Sequence, residues 1–171
     1  MKSHALRMTL AIVTTLPLAA LAADAQRQAE VANRGADVMP FDLKATTHIF
    51  TKTSTGGTQR VVARNTSDAT QTRLVREHLR DIEGEFKKGD FSGPSHIHGE
   101  DMPGLAQLKT ARPGDILIAY KDVESGAELT YRTKNAKLVS ALHAWFDAQV
   151  SDHGGDAMAG HQHQHGDMPK Q

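Results

Sequence analysis

Two amphipathic stretches constrain the fold of this chain more than anything else in it. Leu74, Val75, Leu79, Ile82 and Phe86 recur at helical spacing, and Leu138, Leu142, Trp145 and Phe146 do so again later. Each stretch follows a pair of strand-like segments. Thr46 to Lys52 is β-branched and aromatic, Ser54-Thr55-Gly56-Gly57 is a hairpin turn, and Gln59 to Arg64 alternates polar with apolar. Asp115 to Lys121 carries Ile116, Ile118 and Tyr120 on one face, Glu124-Ser125-Gly126 turns the chain, and Glu128 to Thr133 returns. Asn65-Thr66-Ser67-Asp68 supplies caps for a helix over 69–88, and Asn135 caps one over 136–150. The pattern predicts an α+β domain over residues 41–150. Two β-β-α units form an antiparallel four-stranded sheet with both helices on one face. Leu-Val opens both helices (Leu74-Val75 and Leu138-Val139), which fits a divergent internal repeat.

The first 25 residues set the compartment. Lys2 and Arg7 precede a nearly uncharged apolar run from Met8 to Leu21, followed by the small-residue cleavage signatures Ala20-Leu21-Ala22 and Ala23-Asp24-Ala25. This is the pattern of a secretory signal peptide, too short to be a spanning helix. The expected mature protein is periplasmic or secreted, with no stable membrane insertion after cleavage. Residues 1–25 carry only Lys2, Arg7 and Asp24 of the 20 basic and 20 acidic side chains, so the remainder is within one charge of neutral. Such a balance offers no electrostatic reason to seek nucleic acid. The chain has no cysteine, which excludes disulfides, thiolate metal sites and thiol chemistry in an oxidising compartment. Residues 26–40 are small and polar and read as a flexible arm. Residues 151–171 are rich in Gly, Asp, His, Gln and Met and read as a disordered His- and Met-rich tail.

What remains is an excess of histidine. Residues 89–114 form a long connection with one short helix near Leu105–Lys109. Its middle reads Pro94-Ser95-His96-Ile97-His98-Gly99-Glu100-Asp101-Met102-Pro103-Gly104. Ordered connections of that length are usually functional. In an extended segment His96 and His98 point to the same side, and Met102 adds a thioether. Imidazole with thioether suits copper, and imidazole with carboxylate suits zinc. His48 shares a strand face with Thr46 and Phe50, while His78 and His143 border the apolar stripes of the two helices. Each of these three is either an ordinary structural histidine or a ligand brought to the loop by the pseudo-symmetry of the units. His153, His161, His163 and His165 in the tail, with Asp152, Asp156 and Asp167, form a compositional chelator, and Met158 and Met168 tilt it toward copper. The expectation is an exported metal-binding protein for sequestration or delivery, copper ahead of zinc, with an envelope protein as a possible partner. Two other readings use the same residues: a small metal-dependent hydrolase, or an envelope interaction module in which metal is incidental. No nucleophile elbow, phosphate loop or HExxH motif is present.

Met39-Pro40-Phe41-Asp42-Leu43-Lys44-Ala45-Thr46-Thr47-His48-Ile49-Phe50, Phe91-Ser92-Gly93-Pro94-Ser95-His96-Ile97-His98-Gly99 and Met102-Pro103-Gly104-Leu105 resemble a family of small exported proteobacterial proteins often labelled aspartate carbamoyltransferase. The resemblance spans roughly residues 38–155 and carries no established function. True carbamoyltransferases hold carbamoyl phosphate in a Ser-Thr-Arg-Thr type loop. The nearest string here is Ser54-Thr55-Gly56-Gly57, so carbamoyl transfer is not expected.

Overall fold

The computed structural model describes residues 17–161. The chain runs through helix α1 (Pro17–Gly35), hairpin β1 (Thr46–Thr53) and β2 (Gly56–Ala63), and helix α2 (Ala69–Lys87). Two short helices follow, α3 (Ser92–His98) and α4 (Leu105–Lys109). Hairpin β3 (Leu117–Val123) and β4 (Gly126–Arg132) leads into α5 (Ala136–His153), and a short strand β5 (Ala157–Ala159) closes the described chain. The fold is α+β. Asp68 and Asn135 cap α2 and α5 through their side chains, accepting from Gln71 N and Lys137 N.

The sheet has five strands in the order β3-β4-β2-β1-β5 and is mixed. The four strands expected from the sequence pair antiparallel, and β5 adds a parallel edge against His48–Phe50 of β1. One sheet face presents Phe50, Val61, Ala127, Leu129, Tyr131 and Ile118, and both long helices pack on it through Val75, Leu79, Phe86, Leu138, Leu142, Trp145 and Phe146. The opposite face is mixed, with Ile49, Val62 and the exposed Leu117 among threonine and charged side chains. Its central cross-strand row is Lys121, Glu128, Arg60. There Arg60 and Lys121 both pair with Glu128, at 2.8 and 2.7 Å, which lets a buried carboxylate stay charged.

Two stretches expected to be loose are built into the core. The arm over 26–40 is helical to Gly35, and Val31 is fully buried where α1 meets α3 and α5. Its polar composition conceals a docking face made of Val31 and, one turn earlier, Arg27. The segment after Val150 is not a free tail either. Helix α5 runs on to His153, Gly154 reverses the chain at φ 51°, and Gly160 N bonds Phe50 O beyond β5. A side chain at Gly154 would sit 2.4 Å from Gln28 Oε1 of α1, so glycine answers both the turn and the close approach. Residues 1–16 and 162–171, which contain most of the signal-peptide pattern and the histidines His163 and His165, lie outside the described residues.

Candidate functional site: a buried histidine cluster

The central segment is helical where an extended loop was expected. Pro94 is the third residue of α3, a position whose N–H has no acceptor within the helix, so proline is tolerated there. Gly99, at φ 87°, ends it. On a helix, residues two apart face nearly opposite ways, and the pair divides accordingly. His98 points inward with 1% exposure. His96 points outward, half exposed, with Asp37 3.8 Å away. The two cannot share an ion. Met102 is also corrected: it is buried in the core and does not line the cavity into which His98 faces.

That cavity, about 40 Å³, is lined by His48, His78, His98, His153, Gln59, Trp145 and Gln149 among apolar walls. His48 arrives from β1, on the core face with Thr46 and Phe50, and is 3% exposed. His153 arrives from the last turn of α5. Its ring stacks on that of His48 at 4.9 Å and 5°, and meets that of His98 edge-on at 5.2 Å. His78 of α2 stands at the rim beside Phe41.

One carboxylate and one guanidinium organise the cluster. His98 Nδ1 lies 2.8 Å from Asp152 Oδ2. Arg27 grips the same carboxylate through Nε (3.1 Å) and Nη2 (2.7 Å), and Nη2 also reaches the His98 carbonyl at 2.6 Å. Burial by itself would raise the Asp152 pKa, but the hydrogen bonds from His98 and Arg27 outweigh it and hold it at about 2. Asp152 is therefore an acceptor, His98 donates Nδ1–H to it, and Nε2 is left as the nitrogen able to carry a lone pair. Burial holds His48 well below the usual imidazole range, and brings His78 and His153 down to about 4. These three rings are neutral at pH 7, the form in which imidazole binds metal.

Among the described residues no group of three or more His, Asp or Glu side chains is set to hold an ion as it stands. Two ring separations, His48–His153 at 4.9 Å and His98–His153 at 5.2 Å, are of the length that a shared ion sets, although the first pair lies parallel. Two imidazoles on a shared tetrahedral ion, each about 2.0 Å from it, place their ring centres about 5 Å apart.

The remaining histidines are elsewhere. His143 Nε2 lies 3.0 Å from Thr53 O and 2.9 Å from Gly56 O, so one N–H clamps both sides of the first hairpin turn. Its role is structural. His143→Ala is expected to lower stability by about 1 kcal/mol in thermal or denaturant unfolding and to leave ion binding unchanged. His161 is exposed just beyond β5.

Arg27 has no local signal in the sequence, and composition alone assigns Asp152 and His153 to the tail. The signal was in the spacing. Leu138, Leu142, Trp145, Gln149, Asp152 and His153 continue one buried stripe at helical intervals, so polar residues on that stripe mark an interior polar site. No protein-family model, no characterised protein and no solved structure matches the chain.

Proposed function

We propose that this is an exported transition-metal-binding protein, for sequestration or delivery, whose ordered site is His48, His98 and His153 with His78 at the rim. The observation that carries this reading is the pairing of His98 Nδ1 with Asp152, on a ring that lines the same cavity as His48 and His153. Metal-binding imidazoles typically donate their second nitrogen to a carboxylate or carbonyl, which fixes the tautomer and orients the ring. His98 has that arrangement. The ring separations of 4.9 and 5.2 Å bring His153 within reach of both other rings, and ligation calls for the rings to turn. His48 and His153 lie parallel, so one of them turns as the ion enters.

An all-imidazole set suits copper(II) and zinc, and the affinity order favours copper. With Met102 in the core, the thioether argument for copper(I) at the ordered site falls away. His161 and the residues beyond it act as a weaker collector at the chain's end, raising the local ion concentration by tethering.

The chain's one tryptophan, Trp145, lines the cavity and reports on it directly. Titrated with copper(II), the mature chain is expected to lose Trp145 emission over the first equivalent and to change little afterwards. Zinc is expected to compete for that first equivalent without quenching. Stoichiometric copper uptake that leaves Trp145 emission unchanged would place the ion elsewhere and overturn the assignment.

A further inference from the structure

Three large apolar side chains are exposed among the described residues: Leu21, Leu117 and Met158. Leu21 falls within the expected leader. The other two belong to the folded domain, and their register puts both on the sheet face away from the long helices. Met158 pairs with Ile49 and Leu117 with Arg132, each out of phase with the buried positions Phe50 and Tyr131. They stand on the two edge strands, β5 and β3, four strand spacings or about 19 Å apart across the sheet. The same face is cationic. Arg60, Lys121 and Arg132 project from it, and the one carboxylate on its strand positions, Glu128, is buried and shared by Arg60 and Lys121. At the Leu117 corner Arg132 is joined by Lys134 and Arg112, the latter paired with Asp115, around an open cleft of about 600 Å³. The chain as a whole is neutral, so this excess is a local segregation of charge.

The pattern discriminates among occupants. A second copy would bring two faces of like charge together. Single-stranded nucleic acid stacks its bases on aromatic rings, and every Phe, Tyr and Trp of the chain packs in or against the core on the other face. A protein partner calls for an apolar centre inside a polar rim. Here the central strand β2 presents Arg60, and the exposed apolar side chains are at the margins. An anionic bilayer suits that order, with cations at the level of the lipid phosphates and apolar side chains reaching past the headgroups. We propose that the helix-free sheet face is a docking surface for anionic phospholipid bilayers, with Arg60, Lys121 and Arg132 on the phosphates and Leu117 and Met158 as shallow anchors. So few charges and two short anchors make the contact weak and reversible. The proposal is independent of the metal reading, because His48 and its cluster lie on the other side of the sheet.

The test is co-sedimentation of the metal-free mature chain with vesicles of phosphatidylcholine alone and of phosphatidylcholine mixed with phosphatidylglycerol. Binding is expected to the mixed vesicles only, and to weaken as salt is raised. Arg132→Gln should weaken it about fivefold, as removal of one cation near an anionic surface does. Lys88→Gln removes the same charge from the end of α2, on the other side of the sheet, and should change nothing. Leu117→Asn combined with Met158→Gln should weaken binding about tenfold at constant charge. All four positions are exposed, so these variants are expected to fold. Equal losses in Arg132→Gln and Lys88→Gln would mean attraction to net charge without a docking face, and would overturn the proposal. Equal binding to both kinds of vesicle, or binding to neither, also overturns it. Polyglutamate bound more tightly than the mixed vesicles, and lost in Arg132→Gln, would assign the face to an acidic protein instead.

Discussion

His98→Ala is expected to lower the affinity of the ordered site by more than the 10- to 100-fold loss typical of removing a residue that merely orients a ligand. His96→Ala is expected to leave the affinity unchanged. The contrast follows from α3: the two histidines lie two residues apart in sequence but on opposite sides of one short helix, with His98 inside and His96 half exposed. His48→Ala and His153→Ala belong with His98→Ala, since each removes a neutral imidazole from the same cavity.

Asp152→Asn is the more informative variant. It keeps the shape of the side chain but weakens its attraction for the His98 N–H and for Arg27. It should cost about 10- to 100-fold in affinity while leaving the ligand set, and hence the copper spectrum, in place. Competition titrations against a chelator, run on each variant of the full chain, separate this tight phase from weak binding at the chain's end. Equal losses in His96→Ala and His98→Ala would restore the loop pair as the site and remove the buried cluster from consideration.

How much of this was legible in the sequence depended on whether a local period carried the signal. The two hairpins and two long helices follow from alternation and from the stripes Leu74–Phe86 and Leu138–Phe146, and the structure has them. The parallel strand β5 had no such signal, because Ala157–Ala159 is three residues long and is held by pairing with β1. Helix α1 was hidden for a related reason: Val31 and Arg27 act through contacts with α3 and α5 that no short window contains. At α3, the extended reading of the segment from Pro94 fails because proline in a first turn breaks nothing. That single misreading turned His98 the wrong way and paired it with His96. The types of residue at the site were legible, then, but the long-range packing that brings His48, His98 and His153 together was not.

The same burial predicts a steep loss of stability in mild acid for the metal-free protein. His78 and His153 titrate near 4 in the folded chain, against an ordinary value of 6.5, and His48 is displaced in the same direction. For a base whose folded pKa is lowered, the unfolded chain binds the proton first, so stability is complete above about pH 6.5 and falls as the pH drops toward 4. The charges facing His153 do not reverse this: Asp152 and Asp156 favour its cation, but burial and His98 oppose it, and burial is the larger effect. His78 and His153 alone contribute a slope of about 2 kcal/mol per pH unit near pH 5, and about 3 kcal/mol each by pH 4. Set against a typical domain stability of about 5–15 kcal/mol, that is enough to bring the unfolding midpoint into the weakly acidic range. Asp152 acts only below this window, since its stabilising charge is present above about pH 3.8 and is lost as the pH falls toward 2. Denaturant unfolding at pH 7.5, 6, 5 and 4.5 measures the slope. His78→Phe and His153→Phe, which remove the titrating ring but keep an aromatic one, should each flatten it by about one proton. A stability that stays level between pH 7 and pH 5 would mean that these rings are solvated and charged in the folded protein, and they would then lack the neutral form in which imidazole binds metal.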